Sequence, residues 1–290
     1  MTEIKNLTAQ MTEDGSLTFF SAEFGETYHS HYGAKQEAEK KFVETTQIKQ
    51  KANQEKIKLL DICYGLGYNT ASALTQIWAI NANCKIEWIG LELDITVAQA
   101  AIAQELLNAW PINIRNLLKN IASDRQVETK NFQGQLLIGD ARQTIQEVIN
   151  REFQADAIFL DPFSPANCPQ LWTVEFLQLV ANCLKLEGYL ATYSCAASIR
   201  SALKIANLKI GSTTPVGRRS PGTVASFRGT ELPPLSIQEE EHLLTRAAIP
   251  YRDPNLCDRA EIIINRRKIE QQSSLLEPSS HWKKRWFSNS

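Results

Sequence analysis

Apolar runs recur at residues 57–63, 86–93, 135–138, 157–160 and 189–193, and most of the stretches between them are long enough to hold a helix. Runs of this kind, rich in Ile, Leu, Val and aromatics, read as strands buried on both faces. Such strands belong to parallel sheets covered by crossover helices. The pattern predicts an α/β fold built on a doubly wound, Rossmann-like sheet. Helices are expected over 69–80, 142–149 and 173–186, the last capped by Thr173, with Gly188 turning the chain into the fifth strand. Beyond residue 203 the pattern changes. Segments 208–216 and 223–228 read as two strands joined by a Gly, Arg and Pro turn, an antiparallel hairpin at one sheet edge. Residues 1–55 form an N-terminal extension, with a strand over 17–24 and a charged amphipathic helix over 33–47 that cover the sheet or its ligand. The sheet domain spans 56–230. A C-terminal extension, 231–290, carries Glu239-Glu240-Glu241 and closes on Trp282-Lys283-Lys284-Arg285-Trp286.

Bulk composition narrows the partners. Against 32 Asp and Glu stand 31 Lys and Arg, a net charge of −1, so any contact with nucleic acid must rest on a local patch. No apolar run is long enough to cross a bilayer, and the first residues lack the apolar core of a secretion signal. A cytoplasmic protein without a membrane partner is expected. The six cysteines are scattered without a Cys-x-x-Cys pair, which speaks against zinc and against a disulfide framework; no metal is expected. Cys168 sits in a loop with no evident activating base, so packing is favoured over a nucleophilic role.

The candidate chemistry lies where the strands end. Asp161 follows the run 157–160 at the carboxyl edge of the sheet, where open α/β sheets bind their ligands. Prolines 162, 165 and 169 then hold a stiff, non-helical loop. The first strand ends in Asp61-Ile62-Cys63-Tyr64-Gly65-Leu66-Gly67-Tyr68-Asn69, a small-residue turn that lets the backbone approach a ligand. Thr70 stands where a dinucleotide fingerprint wants a third small residue, which counts against NAD. The turn resembles instead the acidic-x-Gly-x-Gly-x-Gly turn of S-adenosylmethionine-dependent class I methyltransferases, with Cys63 in the first glycine position. A cysteine there is expected to keep a negative φ. The resemblance implies that Asp61, Tyr64, Gly65, Gly67 and Asn69 contact S-adenosyl-L-methionine. Glu92, ending the second strand, would accept the ribose hydroxyl protons. Asp140 with Ala141 would meet the adenine, while Asp140 is equally suited to capping the helix that follows.

A narrower resemblance rests on five segments. Asp161-Pro162-Phe163-Ser164-Pro165-Ala166-Asn167-Cys168-Pro169-Gln170-Leu171-Trp172-Thr173, Thr192-Tyr193-Ser194-Cys195-Ala196, Val216-Gly217-Arg218-Arg219, Tyr28-His29-Ser30 and Gly33-Ala34-Lys35-Gln36-Glu37 are similar to the methyltransferase half of the MnmC family, over approximately residues 17 to 230. The resemblance implies methyl transfer from S-adenosyl-L-methionine to the aminomethyl nitrogen of a wobble uridine, 5-aminomethyl-(2-thio)uridine becoming 5-methylaminomethyl-(2-thio)uridine, with the tRNA anticodon stem-loop as partner. Asp161 would accept the amine proton, helped by a carbonyl of the following loop. Pro162, Phe163 and Tyr193 would bound a splayed-out uracil, and Arg218 and Arg219 would meet phosphate. The family reads Ala-Lys-Asn-Pro where this chain has Ala166-Asn167-Cys168-Pro169, so a basic loop contact is missing. No second dinucleotide-type turn appears, so neither FAD nor oxidase activity is expected. Two alternatives stand beside this reading: an aminopropyltransferase of the spermidine-synthase type, and a non-catalytic protein that binds S-adenosylmethionine or tRNA. Oligomeric state is not legible in the chain.

Overall fold

A computed structural model describes residues 7–216, 220–229 and 231–287. The N-terminal extension opens with a small antiparallel sheet of β1 (Ala9–Met11), β2 (Leu17–Ser21) and β3 (Glu26–Thr27). The single helix expected over 33–47 is instead broken into α1 (Ala34–Glu37), a π-helical segment (Ala38–Glu44) and, after Gln47 turns left-handed at φ 54°, α2 (Ile48–Lys51). The wider π turn goes with burial of three consecutive residues, Lys41, Phe42 and Val43. π-helical turns are rare and cluster at functional sites.

The main sheet is built from β4 (Lys56–Ile62), β5 (Lys85–Glu92), β6 (Gln126–Glu128), β7 (Phe132–Ile138), β8 (Ala155–Leu160), β9 (Leu184–Thr192), β10 (Lys209–Ser212) and β11 (Thr223–Ser226). Their spatial order is β10-β11-β9-β8-β4-β5-β7-β6. The β4, β5, β7, β8 and β9 pairings are parallel, whereas β10, β11 and β6 join antiparallel at the two edges. This is the doubly wound α/β architecture with the expected edge hairpin. The connections are α3 (Tyr68–Ile80), α4 (Ile95–Ala103), α5 (Ile112–Asp124), α6 (Ala141–Asn150), α7 (Val174–Asn182) and α8 (Ala197–Ile205). Alternate strand residues feed opposite cores: Ile57 and Leu59 pack under α3 to α5 with the N-terminal extension, while Leu60 and Ile62 pack under α6 to α8. Thr173 caps α7 as expected, its Oγ1 accepting from the Phe176 N–H. Gly188 does not turn the chain into β9. It lies inside that strand, beside a register irregularity, where a Cβ would stand 2.8 Å from the Ala155 carbonyl oxygen.

The chain lays β5 and β7 outward on one side of β4 and then returns to lay β8 and β9 outward on the other, so the β4–β8 junction, where strand order reverses, is the topological switch point of the sheet. The turn that leaves β4 there is strained. Cys63 takes φ 67°, contrary to the negative value expected, because its N–H and that of Tyr64 both donate to the Leu91 carbonyl at 3.0 Å. A cysteine thus occupies a backbone shape that glycine adopts freely. Gly67, at φ 84°, has no substitute: a Cβ would lie 2.5 Å from the Tyr64 hydroxyl.

The C-terminal extension adds α9 (Ile237–His242), α10 (Ala260–Ser273) and α11 (Ser279–Phe287). It is tied down by two arginines of the sheet domain. Arg200 on α8 is 2% exposed and donates to Thr223 Oγ1, the Gly222 carbonyl, Ser212 Oγ and, at 2.8 Å, Glu239 Oε1 of α9. Arg142 on α6 reaches the fully buried Asp253 at 2.8 Å and the Asp258 carbonyl at 2.9 Å. The tail's basic cluster is partly spent within the chain: Arg285 pairs with Glu277 and Glu241, and Trp286 Nε1 donates to Glu241. No helix among the described residues is long and apolar enough to cross a membrane.

Two stability outcomes follow from these contacts. Burial opposes ionisation of Glu239, but the Ser236 N–H, the Ser212 hydroxyl and the Arg200 guanidinium hold its carboxyl down at about 2. A depressed carboxyl stabilises the fold above its unfolded value and loses that contribution as pH falls through the folded one. Glu239→Gln should therefore lower the melting temperature at pH 7, and the deficit should narrow as pH falls from 4.5 towards 2. In the turn, Cys63→Gly should leave the melting temperature unchanged or higher, whereas Cys63→Val should cost about 1–2 kcal/mol in a denaturant titration, a β-branched residue being the worst fit to a left-handed backbone.

Candidate active site

The β4 and β8 ends meet at a cavity of about 670 Å³. Parallel pairing sets the two strands level, Ile62 opposite Leu160, and the Asp161 N–H donates to the Ile62 carbonyl at 3.1 Å. The Asp161 side chain faces the cavity, and its Oδ2 accepts from Asn69 Nδ2, in the first turn of α3, at 2.9 Å. Burial pushes this carboxyl up to about 8; the charge of Glu37 adds to the rise and the Asn69 hydrogen bond opposes it. Oδ1 of Asn69 is buried with no partner among the described residues.

Opposite Asp161, Glu92 closes β5. It is 8% exposed, and each carboxylate oxygen takes one backbone donor: Gly65 N–H at 2.8 Å and Asp94 N–H at 2.9 Å. Burial raises its carboxyl and those N–H groups pull against the rise. A carboxylate oxygen has two lone pairs, so Glu92 retains acceptor capacity at the cavity wall beside Cys63, Gly65 and Asp94. These features fit S-adenosyl-L-methionine: an acid for two hydroxyls, a bare glycine backbone, an unpartnered amide oxygen and room for a nucleoside.

The loop after Asp161 is braced from three directions. Tyr193 Oη donates to the Pro162 carbonyl at 2.9 Å, and Trp172 Nε1 donates to the Phe163 carbonyl at 2.8 Å. From the N-terminal extension, Glu26 accepts from the Ser164 N–H at 3.0 Å and from the Ser164 hydroxyl. Asn167 Nδ2 donates to the Phe24 carbonyl at 2.9 Å and to Glu26 Oε1 at 2.8 Å. The residue that departs from the family pattern thus stitches the loop to the extension. Phe24 stacks on Phe163 with ring centroids 4.3 Å apart, and Tyr28 meets the same ring edge-on at 5.0 Å.

Of the residues singled out from the sequence, Asp161, Pro162, Phe163, Tyr193, Gly65 and Glu92 line this one cavity, and Asn69 reaches it through Asp161. Others stand apart. Asp61 is 1% exposed beneath the turn, its Oδ2 accepting from Thr70 Oγ1 at 2.6 Å, and burial pushes its carboxyl up to about 7. Thr70 also accepts from Trp88 Nε1 at 2.8 Å, so the non-glycine in the turn anchors both neighbours. Tyr64 is core, edge-on to Trp88, and Gly67 is the N-cap of α3. Asp140 and Ala141 are not in the cavity wall; Asp140 caps α6 and is clasped by the Arg142 guanidinium at 2.6 Å. Arg218 and Arg219 lie outside the described residues. Cys168, by contrast, does line the cavity; it is buried, and burial pushes its thiol up to about 12, which fits packing rather than a nucleophile.

Sequence reasoning gave no role to much of the opposite wall. Phe24, Glu26, Tyr28, His29, Ser30 and Glu37 all line the cavity from the N-terminal extension. The Tyr28-His29-Ser30 and Gly33 to Glu37 matches were the available signal, but nothing local says that a segment so far from Asp161 in sequence folds over it.

Comparison with known proteins agrees with this geometry. A family model described as S-adenosyl-L-methionine-dependent methyltransferase matches residues 98–228. An uncharacterised protein of Methanocaldococcus jannaschii is 30% identical over 274 residues, covering 92% of this chain and 72% of the relative. The tRNA 5-methylaminomethyl-2-thiouridine biosynthesis bifunctional protein MnmC of Ralstonia nicotianae is 26% identical over 234 residues, which is 76% of this chain but 34% of that protein, so the chain spans about a third of its length. The crystal structure of MNMC2 from Aquifex aeolicus matches with a TM-score of 0.81 and 34% identity, covering 94% of this chain and 87% of that one. The chain belongs to the MnmC2-type family of S-adenosyl-L-methionine-dependent methyltransferases.

Proposed function

We infer that the chain methylates the aminomethyl nitrogen of a wobble uridine in tRNA, taking 5-aminomethyl-(2-thio)uridine to 5-methylaminomethyl-(2-thio)uridine without oxidase chemistry. The observation that carries this reading is Asp161, the acid at the switch point, which has no cation bonded to it among the described residues. Asp161 faces the cavity with its proton affinity raised to about 8, close to what is needed to exchange a proton with an alkylammonium near neutrality. Similarity to the tRNA 5-methylaminomethyl-2-thiouridine biosynthesis protein of Ralstonia nicotianae supports the tRNA substrate.

An alkylamine reaches the site mostly protonated, and only the neutral amine has a lone pair. Asp161 takes one N–H proton and holds another N–H in a hydrogen bond, which aims the lone pair. Asn69 fixes the acid by its 2.9 Å bond to Oδ2, leaving Oδ1 for the amine. Bound S-adenosyl-L-methionine supplies an electrophilic methyl on a sulfonium; Glu92, Gly65 and Asn69 would hold it, with Asp61, Tyr64 and Gly67 shaping the turn from behind. Asp140 and Ala141 would serve the adenine end only from outside the present cavity wall. The uracil would lie against the Phe24–Phe163 stack, with Pro162 and Tyr193 completing the wall. Arg218 and Arg219, which lie outside the described residues and fall in sequence between β10 and β11, would meet the anticodon stem-loop backbone. A cytoplasmic setting accords with such a substrate.

The deciding experiment gives the protein methyl-labelled S-adenosyl-L-methionine and tRNA from cells blocked at the aminomethyl stage, with putrescine and decarboxylated cofactor as the competing pair. Label is expected in the methylaminomethyl nucleoside; aminopropyl transfer to putrescine would instead establish the aminopropyltransferase. A second measurement concerns Asp161 directly. Asp161→Asn should cut kcat by about 10²–10⁴-fold with little change in cofactor affinity by calorimetry, and wild-type kcat/KM should rise through about pH 8. The same substitution has a stability signature. With a folded value near 8 against 3.8 unfolded, wild-type stability falls with pH between those values, because only the unfolded state has released the proton. Asp161→Asn should therefore gain melting temperature relative to wild type from about pH 4 to about pH 8, and hold that gain above it.

A further inference from the structure

Among the carboxylates that line the cavity, one besides Asp161 and Glu92 is deeply buried. Glu37, the last residue of α1, lines the same wall as His29 and Ser30 and is 6% exposed. Its Oε2 accepts from the Ser30 N–H at 3.0 Å, and its Oε1 accepts from Lys41 Nζ at 2.9 Å. Lys41 is 1% exposed and sits in the π-helical segment, one turn on from Glu37. A buried ion pair is weak as a source of stability, since apolar residues of similar volume commonly do as well. Its presence at the cavity, on a rare helix type, calls for another purpose.

We propose that Glu37 is the fixed counter-charge for the substrate's ammonium group, that Lys41 is the positioning residue that keeps Glu37 charged and aimed, and that Asp161 is left as the acid that exchanges the proton. This rests on the amine-methylation reading and assigns it a division of labour. Burial alone would push the Glu37 carboxyl up; the Lys41 ammonium and the Ser30 N–H overcome it and hold the group below the usual carboxylate range. Among the described residues Asp161 has no cation bonded to it, only the Asn69 amide, and Glu37 outweighs Lys41 in its surroundings. Asp61 adds a weaker push in the same direction. His29 stacks on Tyr68 and is held neutral, burial pushing its imidazole down to about 4, so it adds no competing cation. Glu92 is engaged across the cavity by backbone donors, and Cys63 is held as a neutral thiol by burial.

The proton and electron count closes. An ammonium enters against Glu37 and passes one proton to the Asp161 carboxylate, leaving a neutral amine. Its lone pair forms the new N–C bond as the S–C bond breaks with both electrons going to sulfur. The product is a secondary ammonium beside neutral Asp161 and still-charged Glu37, and Asp161 returns its proton to solvent on release.

Glu37→Gln should leave cofactor affinity unchanged, lower kcat/KM on aminomethyl-tRNA by at least about tenfold, and move the rising limb of the pH profile to lower pH, because a negative neighbour of Asp161 is gone. Lys41→Arg should restore what Lys41→Met loses. One readout stands apart from turnover: the pH dependence of the melting-temperature difference that Asp161→Asn produces, measured first in the otherwise wild-type protein and again in the Glu37→Gln background. Its midpoint should fall to lower pH in the Glu37→Gln background. If the midpoint falls but no tRNA is methylated, the carboxylate pair stands and the substrate reading fails. Unchanged kcat/KM together with an unchanged midpoint overturns the proposal. Should Glu37→Gln fail to fold, Glu37→Asp, which withdraws the charge by one methylene, must give the same shifts in smaller measure.

Discussion

The parallel pairing of β4 with β8 is the constraint on which the site depends. It sets Ile62 level with Leu160, so that a turn at residues 63–67 and an acid at 161, separated by about a hundred residues of chain, open on the same side of the sheet. Each strand feeds both cores by simple alternation, and a slip of one residue would turn Leu59 and Leu60 to the wrong faces. The register that holds the core together is therefore the register that aligns the chemistry. The hydrogen bond from Asn69 to Asp161 is a consequence of it, joining the first turn of α3 to the end of β8.

Acids dominate the polar interior, and their neighbours sort them into roles. Glu92 is held by backbone N–H groups, Asp140 by Arg142 and Glu37 by Lys41 with Ser30, while Asp61 has the Thr70 hydroxyl on one oxygen and no partner among the described residues on the other. Among the described side chains, Asp161 has only a neutral amide. In a medium of low dielectric a paired cation holds Glu37 down, while Asp161 and Asp61, with neutral partners only, are both pushed up; of these two, Asp161 lines the cavity. Opposite charges likewise match the buried Arg200 with Glu239 and the partly exposed Arg142 with Asp140 and Asp253, and these pairs dock the C-terminal extension onto α8 and α6.

The N-terminal extension does more than cover an edge. Glu26, Phe24 and Asn167 fasten the small antiparallel sheet to the Asp161 loop, and the cavity exists because that sheet forms its far wall. Asn167 replaces a basic residue of the family pattern, and the contact it makes is within the chain.

Hydrophobic periodicity and strand-end chemistry by themselves determined the α/β class, the edge hairpin, the helix cap at Thr173 and the placement of Asp161, Gly65 and Glu92 at strand ends that open on the cavity, because each of these is written in residues adjacent in sequence. Tertiary structure decided the rest. A positive φ at Cys63 follows from the pull of the Leu91 carbonyl, a partner on another strand. Asp140, outside the cavity wall, caps α6 and is gripped by Arg142, which also reaches Asp253 more than a hundred residues on. Glu37 reads in sequence as one charge on an amphipathic helix; a π turn buries Lys41 beside it, and the small sheet folds both towards Asp161. Local pattern reports which residues can form an element; which side chains then share a cavity depends on long-range packing, and that is set only once the chain has closed on itself.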